Sequence, residues 1–99
     1  MPSPNALSHE RVSELFRALA APLRLAIVRL LVTHHQLHVH EIIEAIGAPQ
    51  TLTSQHLRVL RDARVVERAQ DGRHVVYRLR DPEVGSVIAA ALRCCGDRV

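Results

Sequence analysis

Apolar residues recur three or four positions apart over most of this chain, which is the spacing of one face of an α-helix. The pattern predicts helices over about residues 9–20, 22–32 and 39–46, a fourth ending near 61, and a last one over 82–95. Ser8 is expected to cap the first helix, and Gly47 to end the third. Residues 1–7 form a Pro/Ser-rich lead that is expected to be disordered.

One face of each predicted helix is expected to be buried, and the members of these faces are all aliphatic apart from one phenylalanine. They are Val12, Leu15, Phe16 and Leu19; Leu23, Ala26, Ile27, Leu30 and Leu31; Val39, Ile42, Ile43 and Ile46; Leu57 and Leu60; Val84, Val87, Ile88, Ala91 and Leu92.

The pattern changes to short β-branched runs between the fourth and fifth helices. "RVVERAQ" and "RHVVYRL" flank an Asp-Gly pair, and Val75, Tyr77 and Leu79 alternate along the second run. Asp-Gly favours a tight hairpin, because glycine accepts the positive φ of such a turn. The predicted order is α-α-α-α-β-β-α in one domain over residues 8–95, with a tail at 96–99. A mainly α domain with a β-hairpin in this order is predicted to be a winged helix–turn–helix.

Composition limits how such a small domain can be stabilised. Of 99 residues 47% are hydrophobic, Trp is absent, and Phe16 and Tyr77 are the only aromatic residues apart from histidine. A core of this size and kind favours completion by a second copy, which predicts a homodimer. All 13 basic residues are Arg and the net charge is +3, with seven Arg against three acids from Arg58 to Arg80. This basic segment is consistent with a polyanionic partner, although such runs are commonly solvated surface.

The chain shows no signal-peptide pattern at its N-terminus and no apolar run long enough for a bilayer. The two cysteines, Cys94 and Cys95, are adjacent, which is a poor arrangement for a structural disulfide. We therefore expect a soluble, cytoplasmic protein with reduced thiols and no membrane partner.

Hydroxyl and amide side chains crowd the start of the fourth helix, the second helix of the predicted helix–turn–helix. Such groups bond to phosphates and base edges of duplex DNA, although helix starts attract them as caps as well. With the arginine at the hairpin tip, the candidate DNA-binding residues are Gln50, Thr51, Thr53, Ser54, Gln55, Arg58 and Arg73. His56 is expected to be packed or to contact phosphate, and His74 to lie on the surface or to face DNA.

Three stretches together, "LFRALAAPLRLAIVRLL", "TSQHLRVLRDARVVE" and "DGRHVVYRL", resemble the ArsR/SmtB family of metal-responsive bacterial repressors. The likeness covers nearly all of residues 15–95. It implies a homodimer paired through its first and last helices. It also implies a metal-free form that binds an operator and releases it when an inducer binds.

The third helix begins with "LHVHE", which places His38, His40 and Glu41 together. Some members of the resembled family hold a Cys-x-Cys pair at this position, so imidazoles here replace thiolates. Imidazole suits Zn(II), Ni, Co or Cu, and we expect Zn(II) as the inducer. Residues two apart converge only if the chain is still extended there. Further donors are His34, His35 or His9 of either subunit; the plain alternative is a polar helix start.

A second metal site is implied by the resemblance at the two ends of the last helix, between subunits. The matching positions are Asp81, Glu83, Cys94 and Asp97, without the histidines expected at two of them. Alternatively, Cys94 and Cys95 sense oxidants or arsenite-like species. A different class is a winged-helix module that binds protein rather than DNA. No catalytic constellation or phosphate-binding loop is present, so an enzyme is not expected.

Overall fold

The structure, a computed structural model, describes the backbone of residues 4–96 and the side chains of residues 8–96. Its elements are α1 Pro4–Leu19, α2 Pro22–His34, β1 Gln36–His38, α3 Val39–Ile46, α4 Gln50–Asp62, β2 Val66–Asp71, β3 His74–Leu79 and α5 Glu83–Cys94. None of the helices in this range is at once long and apolar enough to cross a membrane.

The helix limits agree with the hydrophobic pattern except at the start of α1. The third helix has the predicted limits, and Gly47 ends it with φ 72°, a left-handed conformation that glycine adopts without strain. The first helix begins at Pro4, so the predicted cap at Ser8 is wrong, and residues 4–7 are helical rather than disordered. A proline tolerates this position, because a first-turn residue has no helical partner for an N–H.

The sheet contains a strand that the sequence pattern did not predict. Residues Gln36–His38 form β1, which pairs antiparallel with β3, and the strand order is β1-β3-β2. Three residues are too few to show alternation, and β1 exists because β3 supplies its hydrogen-bonding partner. The element order is therefore α-α-β-α-α-β-β-α, and β3 is the central strand. On β3, Tyr77 and Leu79 pack against the core.

The core is aliphatic and is centred on α2. Side chains from α2, α3, α4, the start of β2 and α5 form one cluster. Its most buried members are Ile27, Val28, Leu31, Ile42, Leu57, Leu60 and Val66. This packing fixes α4 against α2 and leaves the opposite face of α4 exposed to solvent.

Part of the apolar stripe on α1 does not reach this core. Leu19 is buried, but Val12 is 46% exposed and Phe16 is 55% exposed. The prediction that Val12 and Phe16 are inward is thus wrong for a single chain, as it is for Ala91 on α5. The α1 helix packs against the core through Leu15, Ala18 and Leu19. An exposed aromatic ring beside an exposed valine leaves an apolar surface on α1.

Candidate metal centre and nucleic-acid interface

The junction of β1 and α3 brings His38 and His40 together. His38 ends the strand and is the N-cap of the helix, with extended backbone angles φ −68° and ψ 153°. This extended residue removes the helical rotation that would separate two positions two apart. The two rings consequently stack, with centroids 5.5 Å apart and planes 14° from parallel.

Glu41 holds His38 in place through a single carboxylate oxygen. Its Oε1 accepts a 2.8 Å hydrogen bond from the backbone N–H of His38 and lies 2.8 Å from Nδ1 of the same ring. The backbone bond is the one a glutamate at the third helical position makes in a capping box. These hydrogen bonds lower the pKa of the Glu41 carboxyl, so the group is an ionised acceptor at neutral pH.

The bond to Glu41 sets the tautomer of His38. An ionised carboxylate only accepts, so Nδ1 carries the proton and Nε2 presents its lone pair. This Nε2 atom is buried and has no hydrogen-bond partner among the residues that the structure describes. A histidine that donates one ring N–H to a carboxylate while its other nitrogen is free has the arrangement found in metal-ligating histidines.

The donor set fits a transition metal ion. Ligand atoms of His38, His40 and Glu41 all lie within 4.8 Å of one another. Imidazole nitrogens with a carboxylate suit Zn(II) and its neighbours in the first transition row. Among the residues with described side chains, this is the single group of three or more histidine, cysteine or acidic residues whose ligand atoms already meet that distance limit.

Two residues of the β-hairpin also lie against His38, and the sequence pattern does not associate them with it. The His74 ring meets the His38 ring edge-on with centroids 5.1 Å apart, and Asp71 Oδ2 lies 3.9 Å from His38 Nε2. His74, expected at the surface or facing DNA, is exposed but lies beside the histidine pair. The sequence pattern did not predict this contact because it did not predict β1, the strand that places His38 next to His74.

The other proposed donors are not gathered in one chain. Asp81 and Glu83 lie at the start of α5, where Asp81 Oδ1 accepts the backbone N–H of Glu83 at 2.9 Å. Cys94 ends this 12-residue helix, about 16 Å away. Asp97 lies outside the described residues. An intersubunit site at these positions therefore stays a prediction. Cys94 and Cys95 are both free and exposed.

The start of α4 presents most of the predicted DNA-binding residues to solvent. The exposed ones are Gln50, Thr51, Ser54, Gln55 and Arg58, and Arg73 is exposed at the hairpin turn. His56 is packed rather than free, since its Nδ1 lies 3.2 Å from Nη1 of Arg24, whose Nε donates to the carbonyl of Ala18 at 2.6 Å.

The prediction that Thr53 binds DNA is wrong, because its side chain is fully buried and cannot reach DNA. Thr53, Leu57 and Leu60 fall at positions i, i+4 and i+7 and share the inward face of α4. That spacing is visible in the sequence. The Thr53 hydroxyl also lacks a hydrogen-bond partner within the described part of the chain.

Thr53→Val is expected to raise the free energy of unfolding by about 1 kcal/mol, because it replaces an unsatisfied buried hydroxyl with a methyl of similar size. Chemical denaturation measures this change, and DNA affinity should stay as in the unsubstituted protein. A loss of DNA affinity in a stably folded Thr53→Val protein would restore Thr53 as a DNA-binding residue.

The fold defines a class: a helix–turn–helix, α3 and α4, followed by a β-hairpin wing. The family described as "Bacterial regulatory protein, arsR family" matches residues 21–68. The chain belongs to this arsR family, which consists of transcriptional regulators rather than enzymes.

Relatives span much of the chain. It is 43% identical over 88 residues to the HTH-type transcriptional repressor SmtB of Mycobacterium tuberculosis, covering 89% of this chain and 64% of SmtB. It thus spans less than two thirds of the length of that relative. It is 37% identical over 82 residues to the transcriptional repressor PagR of Bacillus anthracis, covering 83% and 82% of the two chains.

Solved structures agree with the fold. The crystal structure of PagR superposes with a TM-score of 0.80 at 35% identity, covering 87% of this chain and 98% of that one. A homodimeric winged helix–turn–helix DNA-binding domain from Mycobacterium bovis superposes with a TM-score of 0.81 at 26% identity, covering 97% and 88%.

Proposed function

We propose that this protein is a homodimeric transcriptional repressor that binds operator DNA and releases it when a transition metal ion, preferentially Zn(II), occupies a site containing His38 and His40. The observation that carries the proposal is the buried, unpartnered Nε2 of His38 at the helix–turn–helix. This nitrogen is positioned to bind a metal ion beside the elements that would contact DNA.

The DNA-binding part of the proposal rests on α4 and the wing. Five hydrogen-bonding or basic side chains are exposed on α4, namely Gln50, Thr51, Ser54, Gln55 and Arg58. The opposite face of α4 is anchored by Leu57 and Leu60, which are 1% and 0% exposed. A rigid helix with a polar outer face suits the major groove, and Arg73 on the wing suits a phosphate or an adjacent groove. SmtB and PagR are both described as transcriptional repressors.

The preference for Zn(II) follows from the donor types. Neutral imidazoles are borderline ligands, and thiolate-seeking ions such as Cu(I) would favour the cysteine pair that some relatives hold here. Zn(II) accepts nitrogen and oxygen donors in a tetrahedral arrangement. Glu41 contributes by holding the His38 ring through its hydrogen bonds. The oxygen-rich set at Asp81, Glu83, Cys94 and Asp97 is the lesser proposal for a second site.

Dimerisation is proposed through α1 and α5. The exposed pair Val12 and Phe16 on α1 is an apolar surface that a second copy would bury. The similar M. bovis domain is described as homodimeric. A dimer would present two copies of α4 to half-sites about one helical turn apart.

Arg73→Ala is expected to weaken binding of all duplexes to a similar degree and to flatten its salt dependence. Removing one arginine–phosphate interaction lowers the slope of log K against log salt by about 0.9. Fluorescence anisotropy with a labelled duplex at several salt concentrations measures both effects. Arg29→Ala, which removes an exposed arginine from α2, is the matched control and should keep the original slope.

The same salt titration tests the DNA-binding proposal itself. Affinity that does not change with salt, or no affinity for any duplex at low salt, would contradict it. Either result would favour the alternative of a winged-helix module that binds another protein.

A further inference from the structure

We propose that the β-wing completes the metal site: Asp71 and His74 join His38 and His40 as ligands of one divalent transition metal ion, so that occupancy ties the wing to the start of α3. This inference deepens the proposed function and rests on it. It assigns three imidazole nitrogens and one carboxylate oxygen, the four donors that a closed tetrahedral site requires.

The register of the sheet places these residues together. In β1 and β3, His38 is paired with Val76, and in β2 and β3, Asp71 is paired with His74. Side chains two apart on a strand share a face, so His74 lies on the same face of β3 as Val76. His38 and His74 are therefore diagonal neighbours across the strands, within reach of large side chains. Asp71, directly opposite His74, shares this face.

The distances separate ligands from supporting residues. Donor atoms around a tetrahedral zinc ion are about 3.3 Å apart, from metal–ligand bonds of about 2.0 Å. His38 Nε2 and Asp71 Oδ2 are 3.9 Å apart, too far for a hydrogen bond and within a small adjustment of that spacing. His38 Nδ1 and Glu41 Oε1 are 2.8 Å apart, which is a hydrogen bond. Glu41 accordingly orients the ring, and Asp71 is the carboxylate ligand.

The buried state of His38 Nε2 is the strongest indication of an occupant. A buried polar atom without a partner costs free energy, and native structures rarely leave one. Asp71 and His74 are exposed and can rotate, whereas Glu41 holds His38 by one hydrogen bond to its ring and one to its backbone N–H. His38 is thus held in position, and Asp71 and His74 can move to complete the coordination of an ion.

Closing the site would act directly on the DNA-binding wing. Asp71 and His74 bracket Gly72 and Arg73, the tip of the hairpin. Two bonds from these residues to the ion would fix the tip relative to α3 and restrict the approach of Arg73 to DNA. An ion that binds this fixed arrangement better than the DNA-bound one shifts the equilibrium towards release.

The test is metal affinity of the purified protein without DNA, by competition with a chromophoric chelator. Asp71→Asn and His74→Ala are each expected to weaken Zn(II) binding by at least about 10-fold, because loss of even an outer-shell partner of a ligand costs about 10- to 100-fold. With Co(II) in place of Zn(II), each substitution should also change the visible absorption, which reports the ligand set. Asp62→Asn, an exposed aspartate of α4, is the matched control, and His34→Ala removes a rival donor that lines a groove with Glu41.

The outcomes separate this inference from the proposed function. If His38→Asn abolishes binding while Asp71→Asn and His74→Ala retain the original affinity and Co(II) spectrum, the wing is not part of the site and the function stands. If His34→Ala weakens metal binding and the wing substitutions do not, then His34 is a ligand in place of Asp71 and His74, and this inference is wrong. If none of these substitutions changes affinity, the proposed site itself is overturned.

Discussion

His38→Asn is expected to lower Zn(II) affinity by at least about 100-fold, more than loss of any single supporting residue should. His38 contacts His40, Glu41 and His74 and also approaches Asp71. Asparagine is favoured at a helix N-cap, so the start of α3 is kept while the imidazole is removed.

Isothermal titration or chelator competition measures this loss, and circular dichroism confirms that the helices remain. Glu44→Gln, one turn along from His40 and exposed, is a matched control that should bind metal as the unsubstituted protein does. Undiminished Zn(II) binding by a folded His38→Asn protein would exclude this cluster as the metal centre.

Phe16→Glu is expected to raise the dissociation constant of the dimer about 30- to 1,000-fold, because burying an unpaired charge at the centre of an interface costs about 2–4 kcal/mol. The ring is 55% exposed in one chain, so the free energy of unfolding of the monomer should change by less than about 0.5 kcal/mol. DNA affinity should fall as the dimer is lost, since a monomer can bind only one half-site at a time.

Analytical ultracentrifugation over a range of concentrations measures the dimer. Val59→Glu is the control: Val59 is 40% exposed but borders a groove with Glu14 and Ala18, on a different side of α1 from Phe16. A Phe16→Glu protein that remains dimeric while Val59→Glu becomes monomeric would move the interface to the α4 side.

The helices could be predicted from the sequence because their signals are local. The helical spacing of Val39, Ile42, Ile43 and Ile46, followed by Gly47, was sufficient to predict both limits of α3. The extra length of α1 was not predicted, because the serine at position 8 imitates a cap that the chain does not use. Val12 and Phe16 are exposed in the single chain. An apolar helical stripe therefore predicts burial, but it does not distinguish burial in the core of one chain from burial against another chain.

The candidate site was predictable only in part, because some of its contacts join segments that are distant in sequence. His38, His40 and Glu41 are neighbours in sequence, and their convergence required one extended residue, which the structure contains. Asp71 and His74 approach them through strand pairing, which joins distant segments and which no local pattern encodes. The prediction for Thr53 was wrong because its hydroxyl resembles those of its exposed neighbours, whereas its spacing with Leu57 places it on the buried face of α4.

The most direct test of the account is metal-driven release of DNA. A duplex selected from a random library by the metal-free protein is labelled, bound, and titrated with Zn(II) while anisotropy is followed. We predict that affinity falls about 5- to 150-fold, the usual range of coupling between two sites, and that release tracks filling of the metal site. DNA that stays bound with unchanged affinity once the site is saturated would contradict the account.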